Sequence, residues 1–87
     1  MSQAPITIYT TAWCGYCVRA KRLLDERKLQ YTEIDVDSAP HLREEMTARS
    51  GRYTVPQIFI GTRHVGGSDD LFALERSGEL ERLTQGD

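Results

Sequence analysis

The chain holds two cysteines, Cys14 and Cys17, with only Gly15 and Tyr16 between them. Paired thiols at this spacing serve redox exchange, metal binding or a short structural bridge, and their surroundings decide which. Zinc needs two further ligands, and the two histidines, His41 and His64, stand 23 residues apart, instead of the roughly three to five of a zinc finger. A structural bridge would close too short a loop to stabilise much. Redox exchange fits best, because the pair falls where a strand-like run meets the start of an amphipathic helix. The thiolate is the reactive form of cysteine. Backbone N–H groups left unpaired at a helix N-terminus, with the positive end of the helix dipole, lower a thiol pKa from about 8.5 into roughly 3.5–7.5. Cys14 falls at that end. Cys17, one turn inside, is expected to be more buried and less acidic, which suits a resolving thiol that attacks a mixed disulfide on its neighbour.

Two further groups of residues bear on the same chemistry. Thr54-Val55-Pro56 precedes a strand-like run, and its ordinary reading is a proline opening a strand, where it has no N–H to lose. A cis Val55–Pro56 bond would instead turn the chain sharply and leave the Val55 N–H and C=O to pair with an extended thiol peptide beside Cys14. Gly66-Gly67-Ser68-Asp69 delivers a helix N-terminus, with Ser68 as the expected N-cap. Backbone donors at Gly67, Ser68 and Asp69 would hold an α-carboxylate there, and the Asp69 side chain would accept from the adjacent ammonium. The ordinary alternative is a capped helix with first-turn acids. Tyr16, between the cysteines, is expected to be exposed and to pack against a ligand, and Trp13 reads as a shield for the site. His41 and His64 read as solvent-facing, Met46 and Phe59 as core.

The elements that must position these groups follow from periodicity. Ile6 to Thr10 alternates as a strand; Cys17, Ala20, Leu23 and Leu24 recur at helical spacing between about Tyr16 and Arg27; Tyr31 to Val36 is a second strand. Asp37-Ser38-Ala39-Pro40 reads as a cap opening a helix over Pro40 to about Ser50, ended by Gly51, with Leu42 and Met46 facing the core. Gln57–Ile60 and Arg63–Val65 flank a Gly61-Thr62 turn, and Leu71, Phe72 and Leu74 mark the inner face of the last main helix, followed by a short helical tail around Leu80 to Thr84. The order β-α-β-α-β-β-α predicts an α/β protein with a four-stranded mixed sheet flanked by helices on both faces, the minimal thioredoxin-like layout, and a crossover between the first two strands that is right-handed.

Composition agrees with a small globular domain spanning 1–87: 87 residues, 39% hydrophobic and 28% charged. A net charge of -2 without a basic block argues against a nucleic-acid partner. No apolar run approaches the roughly 18 residues of a membrane span, and the start carries no signal-like basic and apolar stretch. With only two closely spaced cysteines, the expected compartment is reducing, the cytoplasm.

Taken together and in this order, Ile8-Tyr9-Thr10, Cys14-Gly15-Tyr16-Cys17, Thr54-Val55-Pro56-Gln57-Ile58-Phe59-Ile60 and Gly66-Gly67-Ser68-Asp69-Asp70-Leu71 closely resemble the glutaredoxin family, from Ile6 to about Leu83. The compact bacterial dithiol members are the most similar. The resemblance implies a thioredoxin fold, a cis Pro56, and an oxidoreductase that uses glutathione to reduce protein disulfides and glutathione mixed disulfides. In that reading Cys14 is the nucleophile, Cys17 resolves, and glutathione is bound by Thr11, Tyr16, Thr54, Val55, Pro56, Gly67, Ser68 and Asp69. Partners would be glutathione and glutathionylated or disulfide-containing proteins, with the protein a monomer. Two departures matter. Many members carry lysine at the position of Thr11, so the cation that helps bind glutathione would have to come from Arg52, or the contact from Gln57. Gly15 replaces a proline, and members with a small residue there sometimes hold a 2Fe-2S cluster between two subunits through the first cysteine and glutathione; Cys14 would be the metal ligand in that alternative, and no metal site is expected otherwise. A thioredoxin-like protein disulfide reductant is the other alternative, favoured by Trp13 and Gly15.

Overall fold

The computed structural model describes residues 3–85. Eight elements run in the order β1 (Ile6–Thr10), α1 (Gly15–Glu26), β2 (Thr32–Asp35), α2 (Pro40–Ser50), β3 (Gln57–Ile60), β4 (Arg63–Gly66), α3 (Ser68–Ser77) and α4 (Glu79–Thr84). The sheet has the strand order β2-β1-β3-β4. β1 pairs parallel with β2 and antiparallel with β3, and β3 pairs antiparallel with β4. This is the four-stranded mixed sheet of a thioredoxin-like fold.

Alternation along the two central strands sends side chains to two separate cores. Ile6 and Ile8 of β1 join Ile58 and Ile60 of β3 beneath Ala20, Leu23 and Leu24 of α1, Leu71 of α3 and Leu80 of α4. Tyr9 and Phe59 point to the opposite face and meet Met46 of α2, with Val36, Leu42 and Ile34 packed around them. Helices therefore cover both faces, α1, α3 and α4 on one and α2 on the other. α1 and α3 each present an apolar stripe to the sheet, and burial of that stripe holds them there, whereas α2 sits on its face through Met46 and the partly buried Leu42.

Helix ends follow backbone chemistry more closely than side-chain expectation. Pro40 opens α2 at its first position and Gly51 closes it at φ 74°, a left-handed conformation that glycine adopts without strain. The cap of α2 is Ala39, which offers no side-chain acceptor, so Ser38 does not cap it. Its hydroxyl bonds back to the Asp35 carbonyl at 2.7 Å instead. Likewise the N-cap of α3 is Gly67, not Ser68, which is already helical. The Asp70 carboxylate reaches back to accept the Gly67 N–H at 2.9 Å, satisfying a donor that the helix itself leaves unpaired. Gly66 has two reasons to be glycine: its φ is +120°, and a Cβ there would collide with the Asp70 carboxylate.

Candidate active site

Three chain segments meet at the end of the sheet where β1 leads into α1. The first is Cys14, the N-cap of α1, whose Sγ accepts the Cys17 N–H at 3.2 Å. The second is the loop before β3, where the Val55–Pro56 bond is cis. The Cys14 Sγ lies 4.0 Å from the Val55 carbonyl oxygen, so that carbonyl faces the sulfur. The third is the start of α3. A cleft between them is lined by Tyr16, Arg52, Thr54, Val55, Pro56, Gln57, Gly67, Ser68, Asp69 and Asp70. Seven of the residues singled out in the sequence, Tyr16, Thr54, Val55, Pro56, Gly67, Ser68 and Asp69, therefore line one space beside Cys14.

The two thiols have different environments. Cys14 is partly exposed and Cys17 is buried. Burial pushes the Cys17 thiol up from its ordinary 9.0 to about 12, and the hydrogen bond and charge of Cys14 push the same way, while the Thr11 N–H and Lys21 pull it down only in part. Cys17 is thus held as a thiol beside a more accessible sulfur. Part of that hold is conditional. Without the hydrogen bond and charge of Cys14, the Cys17 proton would be held less tightly.

The cleft has polar groups to spare. The Ser68 hydroxyl is buried and has no hydrogen-bond partner among the described residues. The N–H groups of Ser68 and Asp69 occupy the first two helical positions, where no carbonyl of the preceding turn can reach them. Arg52 also lines the cleft, with 53% of its side chain exposed and its guanidinium 3.6 Å from the Asp70 carboxylate. The Gly67 N–H is already taken by the Asp70 carboxylate, which leaves the N–H groups of Ser68, Asp69 and Asp70 without a helical acceptor.

Other sequence expectations fall elsewhere. Thr11 is half-buried, outside the cleft lining, and its backbone serves Cys17. Gln57 lines the cleft but is 1% exposed and bonded to Thr54 and His64, so its amide is already engaged. Trp13 shields nothing: its ring is fully exposed on a backbone with φ 63°. His41 is exposed, whereas His64 is half-buried against Gln57 and Phe59. Arg52 joins the site by its tertiary pairing with Asp70, which follows Asp69 in the first turn of α3. Among the described residues no group of three or more His, Cys, Asp or Glu side chains gathers to hold a metal ion.

A capping thiol with a buried partner one turn inside the helix, facing a cis-proline loop in a thioredoxin-like fold, defines a thiol-disulfide oxidoreductase. Comparison with known proteins agrees. The glutaredoxin family model matches residues 6–65. The chain is 56% identical over 79 residues to the glutaredoxin of Pseudomonas aeruginosa, covering 91% of this chain and 94% of that protein. The solution structure of glutaredoxin from Brucella melitensis superposes with a TM-score of 0.84 at 53% identity, covering 95% of this chain and 90% of that one. A buckwheat glutaredoxin, solved as a complex with glutathione, gives 0.84 at 31% identity, covering 92% and 76%. The chain belongs to the glutaredoxin family.

Proposed function

We propose that this protein, acting as a single domain over residues 1–87, is a glutathione-dependent oxidoreductase that reduces glutathione mixed disulfides and protein disulfides in the cytoplasm. The observation that carries the reading is the cleft beside Cys14, lined by a buried unpaired hydroxyl, by helix N–H groups without a helical acceptor and by the cation of Arg52. Glutathione has a carboxylate at each end and an ammonium at one. In the proposed complex the carboxylate that neighbours the ammonium meets the Ser68 and Asp69 N–H groups and the Ser68 hydroxyl, and Asp69 accepts from the ammonium. The far carboxylate meets Arg52, which takes the place of a cation at Thr11. Tyr16, Thr54, Val55 and Pro56 flank the tripeptide between these ends and direct its sulfur toward Cys14. The buckwheat glutaredoxin–glutathione complex supports this choice of ligand.

The steps follow from the two thiol environments. The Cys14 thiolate attacks the glutathione sulfur of a glutathionylated protein; a bond to Cys14 forms, the old disulfide breaks, and the protein thiolate leaves and takes up a proton. A second glutathione, as thiolate, attacks the glutathione sulfur bound to Cys14 and departs with it as oxidised glutathione, which returns Cys14. With a protein disulfide as substrate, Cys14 attacks one of its sulfurs, Cys17 then attacks the Cys14 sulfur of the mixed disulfide and the protein leaves as a dithiol. The Cys14–Cys17 disulfide so formed is reopened by two glutathiones, which leave as oxidised glutathione. The site contributes orientation, and the bond chemistry is ordinary exchange.

The test is steady-state reduction of a glutathionylated peptide by glutathione, with glutathione reductase and NADPH regenerating the reductant. Protein-dependent turnover is expected. Turnover at the uncatalysed rate would overturn the reading and turn attention to the alternative of a 2Fe-2S cluster held by Cys14 and glutathione between two subunits, read out by visible absorption and a doubled mass after anaerobic reconstitution. The redox potential separates a glutaredoxin, at about -200 to -230 mV, from a thioredoxin-like reductant near about -270 mV.

A further inference from the structure

From the cleft wall inward runs a hydrogen-bonded pair, Gln57 and His64, that the thiol chemistry leaves unused. Gln57, at the start of β3, is 1% exposed. Its Nε2 donates to the Thr54 carbonyl at 3.0 Å and to Thr54 Oγ1 at 3.2 Å. A carbonyl oxygen only accepts, so this contact fixes which end of the amide faces the loop. The other end, Oε1, also only accepts, and it lies 2.7 Å from Nε2 of His64 on β4. The proton is therefore on His64 Nε2, and His64 donates. The imidazole is itself fixed from behind: its ring lies 5.0 Å from that of Phe59, tilted by 33°, and the Arg49 guanidinium of α2 sits 4.1 Å over the other ring of this stack, Phe59. Each link has one orientation that satisfies its donors and acceptors.

We propose that His64 is a positioning residue for the exchange reaction: through Gln57 it holds the Thr54 carbonyl and hydroxyl, and so sets the Thr54–Pro56 loop against Cys14. Without the His64 donor, Gln57 Oε1 is left buried and unpaired, and the amide can recover a partner only by turning away from Thr54. The loop that carries the Val55 carbonyl, 4.0 Å from the Cys14 sulfur, then loses its inner anchor.

The kinetic part of this inference rests on the proposed glutathione-dependent activity, so the test pairs kinetics with a measurement on the free protein. His64→Phe keeps a ring against Phe59 and removes the donor, whereas His64→Gln sets an amide N–H where Nε2 stands. With a glutathionylated peptide as substrate, His64→Phe is expected to raise KM about tenfold with kcat within about twofold, on the scale of one lost hydrogen bond, and His64→Gln to restore KM. In 1H–15N spectra of the free protein, the Gln57 side-chain amide and the Thr54 and Val55 backbone amides should shift in His64→Phe and return in His64→Gln. An unchanged KM in His64→Phe, or equal losses in both variants, would overturn the proposal. Should the parent protein show no turnover, the function falls but the positioning role is still decided: loop amides that move and return support it, and amides that stay put refute it.

Discussion

Cys14 and Cys17 are the same residue type three positions apart, and the fold separates them by placing one at the cap of α1 and the other inside it. The difference predicts unequal substitutions. Cys14→Ser should abolish turnover with any disulfide substrate, because the attacking sulfur is gone. Cys17→Ser should keep reduction of glutathione mixed disulfides and lose reduction of protein disulfides, measured with a glutathionylated peptide and a protein disulfide in parallel; loss of both would eliminate a mechanism in which glutathione alone can release Cys14. Arg52 carries a second prediction at this scale. Arg52→Ala should raise KM for the glutathionylated peptide by about tenfold, as expected for removing one charge-assisted contact at a half-exposed site, while kcat changes little. The cysteine pair was legible in the sequence because spacing and a strand-to-helix context sufficed. Arg52 was legible only as a possible substitute for a missing lysine, since nothing local in the chain places position 52 next to position 70.

Element by element, the periodic signals were the reliable ones. The strands and helices lie close to where alternation and three-to-four spacing put them, because those patterns are what two opposite cores demand of a sheet and its helices. Helix caps were less legible. Ser68 looked like an N-cap and Asp37-Ser38-Ala39-Pro40 like a capping segment, yet Gly67 and Ala39 are the N-caps, since Asp70 closes back on the Gly67 N–H and Ser38 turns to Asp35. Which residue caps depends on where the chain arrives, and that is set by sheet pairing. The attachment of α2 makes a sharper prediction. This helix covers its face of the sheet with one fully buried residue, Met46, at 0% exposure. Polar contacts clamp it as well: the Tyr9 hydroxyl donates to Glu45 at 2.6 Å and accepts from Arg49 at 2.8 Å. Met46→Ala should therefore cost about 2–5 kcal/mol, whereas Tyr9→Phe should cost only about 1 kcal/mol because Glu45 and Arg49 can turn to water. Urea denaturation of the two variants checks the order, and a larger cost for Tyr9→Phe than for Met46→Ala would mean that the polar clamp, not the apolar contact, holds α2 in place.

For the molecule as a whole, the shifted titrations combine into a single stability profile with pH. On the alkaline side, burial pushes up the Cys17 thiol from 9.0 to about 12, and burial likewise raises the Tyr9 and Tyr31 phenols above 10.0. Each of these acids keeps its proton longer in the folded chain than in the unfolded one, so stability falls as pH rises past the ordinary value. Lys21 adds to the same slope: its hydrogen bond to Glu33 raises it above 10.5, and the stabilisation is present below that pH and lost above it. On the acid side the signs reverse. Burial first, and Arg52 next, lower His64 below 6.5, while the hydrogen bond from Thr10 leads in lowering Glu33 below 4.5. The unfolded chain then takes up protons first as pH falls, and stability drops below each of those values. The profile should be flat between about pH 6.5 and 9.0 and slope down on both sides. Cys17 is the group whose ordinary value lies lowest on the alkaline limb, so Cys17→Ala should delay the onset of that limb toward the tyrosine and lysine range without altering the acid limb. Denaturant midpoints of the reduced protein across this range measure it. An alkaline limb that begins at the same pH in Cys17→Ala would place the loss of stability in the phenols and Lys21 and remove the buried thiol from the account.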